Sequence, residues 1–238
     1  MFATIPAVAC ETRLSRRGDL AGSLASGVPS IADLVPGELP ATTVRAGRDE
    51  EVIGQGEPAE YCYLVLSGCL RTVRLLEDGR RQVGEFLMAG DLFGWEALGE
   101  YDFGAEAVSP ATLLRYSQRR LAALAGHDSA LAVRLHALTA GQLRAGRERI
   151  VLLGRKTAAE RIASFLLEMM TRLGGEGAQS IELPMSRADI ADYLGLTIET
   201  VCRGITQFRR RGLIAVERNR IAIRDHQALE AAGHQSVH

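Results

Sequence analysis

Glu199, Cys202 and Arg203 place a carboxylate, a thiol and a guanidinium at helical spacing i, i+3 and i+4, so they share one face near a helix start. That trio suits reading nucleic-acid bases. A forked guanidinium matches guanine O6 and N7, and a carboxylate accepts from the exocyclic amine of cytosine or adenine. Arg209, Arg210 and Arg211 follow, where they would meet phosphates. Cys202 beside Arg203 on an electropositive face also favours thiolate, which makes it a candidate redox thiol. Hydrolytic chemistry finds no comparable set. No Ser-His-Asp, paired-carboxylate or metal-ligand spacing precedes this segment, and the first His is His127, so we expect neither an enzyme nor a metal site.

The elements that must position the trio are written into residues 184–224. Ser186 and Asp189 form an S-x-x-D capping box, with Met185 and Ile190 as a hydrophobic staple, which predicts a helix starting at Ser186. Gly195 stops it after Leu194. Thr197 can cap a second helix running to about Arg210. Two helices with a Gly-containing turn read as a helix-turn-helix, with Ile190, Leu194, Leu196, Val201 and Ile205 as shared core and the small Ala191 at the crossing. Leu213–Val216 and Ile221–Ile223, bridged by Glu217-Arg218-Asn219-Arg220, read as a hairpin with a basic tip, a wing. Ser186, Arg187, Thr197, Thr200, Arg209, Arg210, Arg218 and Arg220 are then candidate contacts to the DNA backbone.

Upstream the texture is different. Residues 1–30 lack periodicity and read as a tail; residues 31–120 hold short apolar runs between glycines, as in a small barrel or sandwich. Asp78-Gly79 marks a tight hairpin turn after Leu70–Leu76. Over residues 118–153 the period becomes helical, and helix continues past Gly154 through Lys156–Leu173. Leu131, Leu135, Leu138, Gln142, Ala145, Arg149 and Leu152 recur at alternating spacings of four and three, the pattern of a coiled-coil seam between two copies. The expected fold is α+β: a small jelly-roll-like barrel or sandwich at 31–120, a dimerisation helix at 121–154 and a winged helix-turn-helix at 155–238.

The 238 residues carry 28 basic and 29 acidic side chains, a formal charge of −1, which at first argues against nucleic acid. The sum conceals an uneven distribution. Residues 186–224 hold eight Arg against Asp189, Asp192, Glu199 and Glu217, or +4. Cys10, Cys62, Cys69 and Cys202 are too few and scattered for a disulfide framework. No apolar run reaches a membrane span, and the N-terminus lacks a basic stretch before its apolar residues, so a cytoplasmic location is expected.

Five stretches resemble the Crp–Fnr family of bacterial transcription regulators: Tyr63–Gly68, Asp78–Gln82, Gly90–Gly94, Leu153–Ala158 and Tyr193–Arg203. The resemblance implies a β-roll sensor, a long dimerisation helix and a winged helix-turn-helix that binds double-stranded DNA as a homodimer. Tyr101 and Asp102 stand where cyclic-AMP-binding members carry an Arg-Ser phosphate cradle, so a cyclic nucleotide is not expected. Cys10 is alone in the first 60 residues, too few thiolates for the iron–sulfur cluster of oxygen-sensing members. The chain thus resembles the cofactor-free FixK-type branch. There the Glu199-Cys202-Arg203 face implies a TTGA half-site, with Cys202 in place of the usual Ser. The resemblance further implies activation of oxygen-limitation or nitrogen-metabolism genes, and Glu77, Asp78, Arg80 and Arg81 are candidate contacts to RNA polymerase. The alternative is a Crp-like regulator gated by an unidentified small effector in the β-roll.

Overall fold

A computed structural model describes residues 39–175 and 178–234; the tail assigned to residues 1–30, with Cys10, lies outside them. Contacts divide the described chain into two compact units. One runs to Arg80 and over Gly84–Gly141, and the other holds Arg81–Val83 and the chain from Gln142 onward.

The first unit is built from β1 (Thr42–Ala46), β2 (Glu51–Ile53), β3 (Tyr61–Ser67), β4 (Cys69–Leu75), β5 (Arg81–Met88), β6 (Leu92–Phe93), β7 (Gly104–Ala107) and β8 (Ala111–Ser117). They form two four-stranded sheets in the orders β1-β8-β3-β6 and β2-β7-β4-β5. Inward residues of both sheets meet in one core: Ile53, Tyr63, Val65, Leu70, Leu87, Phe93, Ala105 and Leu113. Sheet order and shared core make this the expected β-roll. Gly68, between β3 and β4, has φ +88°, and a Cβ there would sit 2.3 Å from the Pro110 carbonyl oxygen, so the turn admits no side chain. Cys62 and Cys69 are both buried, and burial pushes the Cys62 thiol up to about 12, leaving it unreactive.

The helical region departs from the expectation of one helix over 118–153. α1 (Gln118–Ala125) stops at Gly126, and α2 (Ser129–Arg155) begins anew. Asp128 makes the new start, because its Oδ1 accepts from the backbone N–H groups of Ala130 (2.9 Å) and Leu131 (3.1 Å). A second departure follows Arg155. Helix does not run on through Lys156; Thr157 caps α3 (Ala158–Leu173) in a full capping box with Glu160.

The stripe on α2 has a neighbour within its own unit. Leu131 is 1% exposed and joins Cys62, Leu64, Leu92, Tyr116 and Leu121 in a second core of its own unit, with Leu135 and Leu138 packed against it. Leu131 is therefore spent within its own chain, while Leu135 and Leu138 pack on the same core and stay half-buried. The 3.5-residue period thus has a neighbour within the chain at its first position, Leu131.

The second unit adds β9 (Ser180–Glu182), α4 (Arg187–Leu194), α5 (Ile198–Arg210), β10 (Ile214–Glu217), β11 (Arg220–Ile223) and α6 (His226–His234). β10 and β11 form the expected wing hairpin, and β9 joins it as a third strand in the order β10-β11-β9. Ile162, Phe165, Leu166 and Met169 of α3 are fully buried in this unit.

Replacing Leu131 by Ala removes a fully buried side chain from the β-roll core, so we expect a loss of about 2–5 kcal/mol in urea unfolding, independent of protein concentration. A loss that grows as the protein is diluted would return Leu131 to an interface.

Candidate nucleic-acid interface

The helix-turn-helix is set by caps that the sequence signalled. Ser186 Oγ accepts from the Asp189 backbone N–H (3.1 Å), and Asp189 Oδ2 accepts from the Ser186 backbone N–H (2.9 Å) and hydroxyl (2.7 Å). Asp189 is only 3% exposed, a buried carboxylate whose Oδ2 is satisfied by the Ser186 donors and whose Oδ1 accepts from Arg81 at 3.2 Å. α4 ends at Gly195, which adopts the left-handed conformation at φ +60° and turns the chain toward α5. Thr197 Oγ1 then accepts from the Thr200 backbone N–H at 3.2 Å and starts α5. Ile190, Leu194, Val201 and Ile205 are buried between the two helices, and Ala191 is 1% exposed; Leu196, also expected in the core, is only half-buried.

This packing leaves Glu199, Cys202 and Arg203 exposed on one face of α5. The Glu199 backbone N–H, the Thr197 hydroxyl and Arg203 hold the Glu199 carboxyl below the usual carboxylate range, so it is an acceptor at neutral pH. Arg209, Arg210, Arg218 and Arg220 are exposed, Arg218 at the wing tip with φ 55°; Arg187 and Thr200 are half-buried. Ser186 and Thr197 are exposed, but their hydroxyls serve as caps. The single Ser186 donor is given to Asp189, so that hydroxyl has no proton to offer a phosphate. In the first unit Glu77, Asp78 and Arg80 are exposed at the β4–β5 turn, with Asp78 and Arg80 paired at 2.7 Å; Arg81, counted with the second unit, is half-buried and donates to Asp192 (2.7 Å) and Asp189 (3.2 Å) of α4.

Two arginines outside the motif hold the far end of α4. Arg161 of α3 donates to three carbonyl oxygens: Leu194 (3.0 Å), Leu153 (2.7 Å) and Lys156 (3.0 Å). Arg149 of α2 donates to the Tyr193 carbonyl at 2.6 Å and stacks its guanidinium 3.3 Å from the Tyr193 ring centroid. Arg149, a candidate seam residue, is half-buried and meets its own α4. Arg161 went unnoticed in the sequence, since an arginine that caps helix C-termini leaves no spacing signature there.

A β-roll, a long helix and a winged helix-turn-helix in this order define a DNA-binding transcription regulator. Residues 43–128 match the cyclic nucleotide-binding domain family and residues 160–232 the Crp-like helix-turn-helix domain family. The chain is 43% identical over 213 residues to the nitrogen fixation regulation protein FixK of Azorhizobium caulinodans, covering 87% of this chain and 86% of that one. It is 32% identical over 225 residues to the transcriptional activatory protein AadR of Rhodopseudomonas palustris, covering 93% and 92%. The solved structure of FixK2 from Bradyrhizobium japonicum matches with a TM-score of 0.80 and 43% identity, over 84% of this chain and all of that one. The chain belongs to the Crp–Fnr family of transcription regulators. It is a FixK-like member.

The β-roll does not fit the cyclic nucleotide its domain family suggests. Tyr101 is 4% exposed, and its hydroxyl donates to the Tyr61 carbonyl at 2.5 Å, filling the space between sheets. A neutral phenol cannot balance a phosphate. Among the described residues the buried arginine of the β-roll is Arg71, held by Glu106 (2.6 Å) and Asp49 (3.2 Å).

Replacing Arg161 by Met would leave three carbonyls without their charged donor. We expect a loss of at least about 2 kcal/mol in urea unfolding of the helix-turn-helix unit, followed by circular dichroism.

Proposed function

We propose that the protein is a homodimeric, cytoplasmic activator of oxygen-limitation or nitrogen-metabolism genes that reads a TTGA-N6-TCAA-type palindrome and works with RNA polymerase. The observation that carries the reading is the solvent-facing set Glu199, Cys202 and Arg203 at the start of α5, which Thr197 caps, followed along the chain by the exposed Arg209, Arg210, Arg218 and Arg220. The names of the FixK and AadR relatives support the physiology and the sign of regulation.

α2 supports the dimer through the stripe opposite the buried one. Val133, His136, Ala140, Leu143, Arg147 and Ile150 alternate by three and four residues and are all exposed, with Val133 at 67% and Ile150 at 73%. A 27-residue helix of about 40 Å with such a face suits a second copy of itself. In this reading the exposed turn of Glu77, Asp78 and Arg80 remains the candidate polymerase contact.

Cys202 gives the reading a redox arm. It is exposed beside Arg203, and a thiolate there attacks a peroxide oxygen, forming S–O, breaking O–O and releasing hydroxide. Oxidation on to sulfinate would put a negative charge on the face that meets DNA. After peroxide treatment we expect the wild type to lose specific binding while Cys202→Ser keeps it; equal loss in both sinks the redox arm.

Arg203→Ala should weaken binding to the palindrome by about 10–100-fold at fixed salt and leave binding to scrambled DNA unchanged. Arg210→Ala should weaken both alike and flatten the salt dependence. Retention of full specificity by Arg203→Ala, read by fluorescence anisotropy, would overturn the base-reading assignment. For the dimer, Ile150→Glu should sediment as a monomer.

A further inference from the structure

A groove of about 750 Å³ opens in the first unit where β1, β3 and β8 run out against α1. Its volume suits a molecule of metabolite size. Its wall is strongly cationic, because Arg115, Arg119 and Arg120 line it against a single carboxylate, Glu60. Among the described residues none of the three arginines forms an ion pair. Arg115 stacks over the Tyr61 ring, 4.4 Å from its centroid, which fixes the plane of its guanidinium at the groove wall. Arg119 and Arg120 stand in the first turn of α1, which contains no acidic residue, and Ser117 gives that helix no side-chain cap. Like charges therefore converge on the positive end of a helix, an arrangement that an anion relieves.

We propose that this groove binds a small polyanion, a phosphorylated or polycarboxylate metabolite, through the guanidinium groups of Arg115, Arg119 and Arg120. Planar forks of this kind match phosphate and carboxylate oxygens two at a time. The site is distinct from the position of the cyclic-nucleotide cradle, which Tyr101 and its Tyr61 partner fill from within the β-roll. It lies on α1, three residues of chain before α2: Gly126, His127 and Asp128 form the break between the helices. An anion that pulls Arg119 and Arg120 together acts on the helix that leads into α2. Any effect on DNA affinity rests on the DNA-reading function proposed above; binding itself does not.

The test is isothermal titration of the full-length protein with inorganic pyrophosphate and with citrate at constant ionic strength. We expect saturable binding of at least one probe. It should weaken at least about tenfold in Arg119→Gln/Arg120→Gln and in Arg115→Gln. The control Arg209→Gln/Arg210→Gln, on the DNA-facing helix, should bind as the wild type does. Pyrophosphate preference would identify a phosphoryl ligand, and citrate preference a polycarboxylate. Absence of saturable binding by both probes, or loss in the control with retention in the groove variants, overturns the site. The double variant changes only exposed side chains, and a circular dichroism melt that matches wild type establishes that it folds. If binding holds but palindrome affinity is unaltered by the bound anion, the coupling to DNA is overturned and the site stands.

Discussion

The last turn of α4 is held by backbone carbonyls facing arginine, and the geometry of the reading face depends on that contact. A helix C-terminus leaves four carbonyls without intrahelical donors, and its dipole makes them electron-rich. Here Arg149 takes the Tyr193 carbonyl and Arg161 takes Leu194, while Arg161 also takes Leu153 and Lys156 at the end of α2. One guanidinium therefore binds the C-terminal ends of two helices, and its donors lie in a single plane. Tilting α4 would break bonds on both sides at once. Because α5 leaves α4 after one turn at Gly195, fixing the end of α4 also fixes the direction in which Glu199 and Arg203 point.

Charge is used differently inside and outside this module. Its buried acids, Asp189 and Glu160, serve as N-terminal partners of capping boxes, each balanced by nearby donors. The eight arginines of residues 186–224 are mostly solvent-facing and set the module at +4, a value that a dimer would double. The β-roll handles charge by pairing, as in Arg71 with Glu106 and Asp49, and fills its interior with Tyr101 and apolar side chains. A basic DNA-binding module and a largely apolar β-roll core can then coexist in a chain whose total charge is near zero.

Local signals were the legible part. S-x-x-D at Ser186, Thr197 at the next cap, Gly195 between them and the wing hairpin each act within five residues, so their physics is contained in the sequence around them. The Thr157-x-x-Glu160 box carries the same signal and was overlooked because the flanking helical periodicity continued across it. Asp128 was likewise hidden inside a run of apolar spacing. What could not be read were choices of partner. The period of α2 shows that a stripe is apolar on one side, but both Leu131–Leu138 and Val133–Ile150 satisfy alternating threes and fours. Burial of Leu131 beside Cys62 and Tyr116 decides which stripe belongs to the β-roll. Arg149 and Arg161 fall in the same class, since a long side chain that reaches a distant carbonyl imposes no local pattern.

The two stripes also explain why α2 starts where it does. A single helix from Gln118 would have to keep one direction over more than 35 residues. Gly126, followed by the Asp128 cap, lets α1 follow β8 while α2 takes its own axis, so Leu121 and Leu131 enter the same core from two helices. Only then is the opposite side of α2 free along its length, from Val133 to Ile150. The break thus lets α2 turn its leucine side onto its own β-roll while the opposite stripe stays exposed.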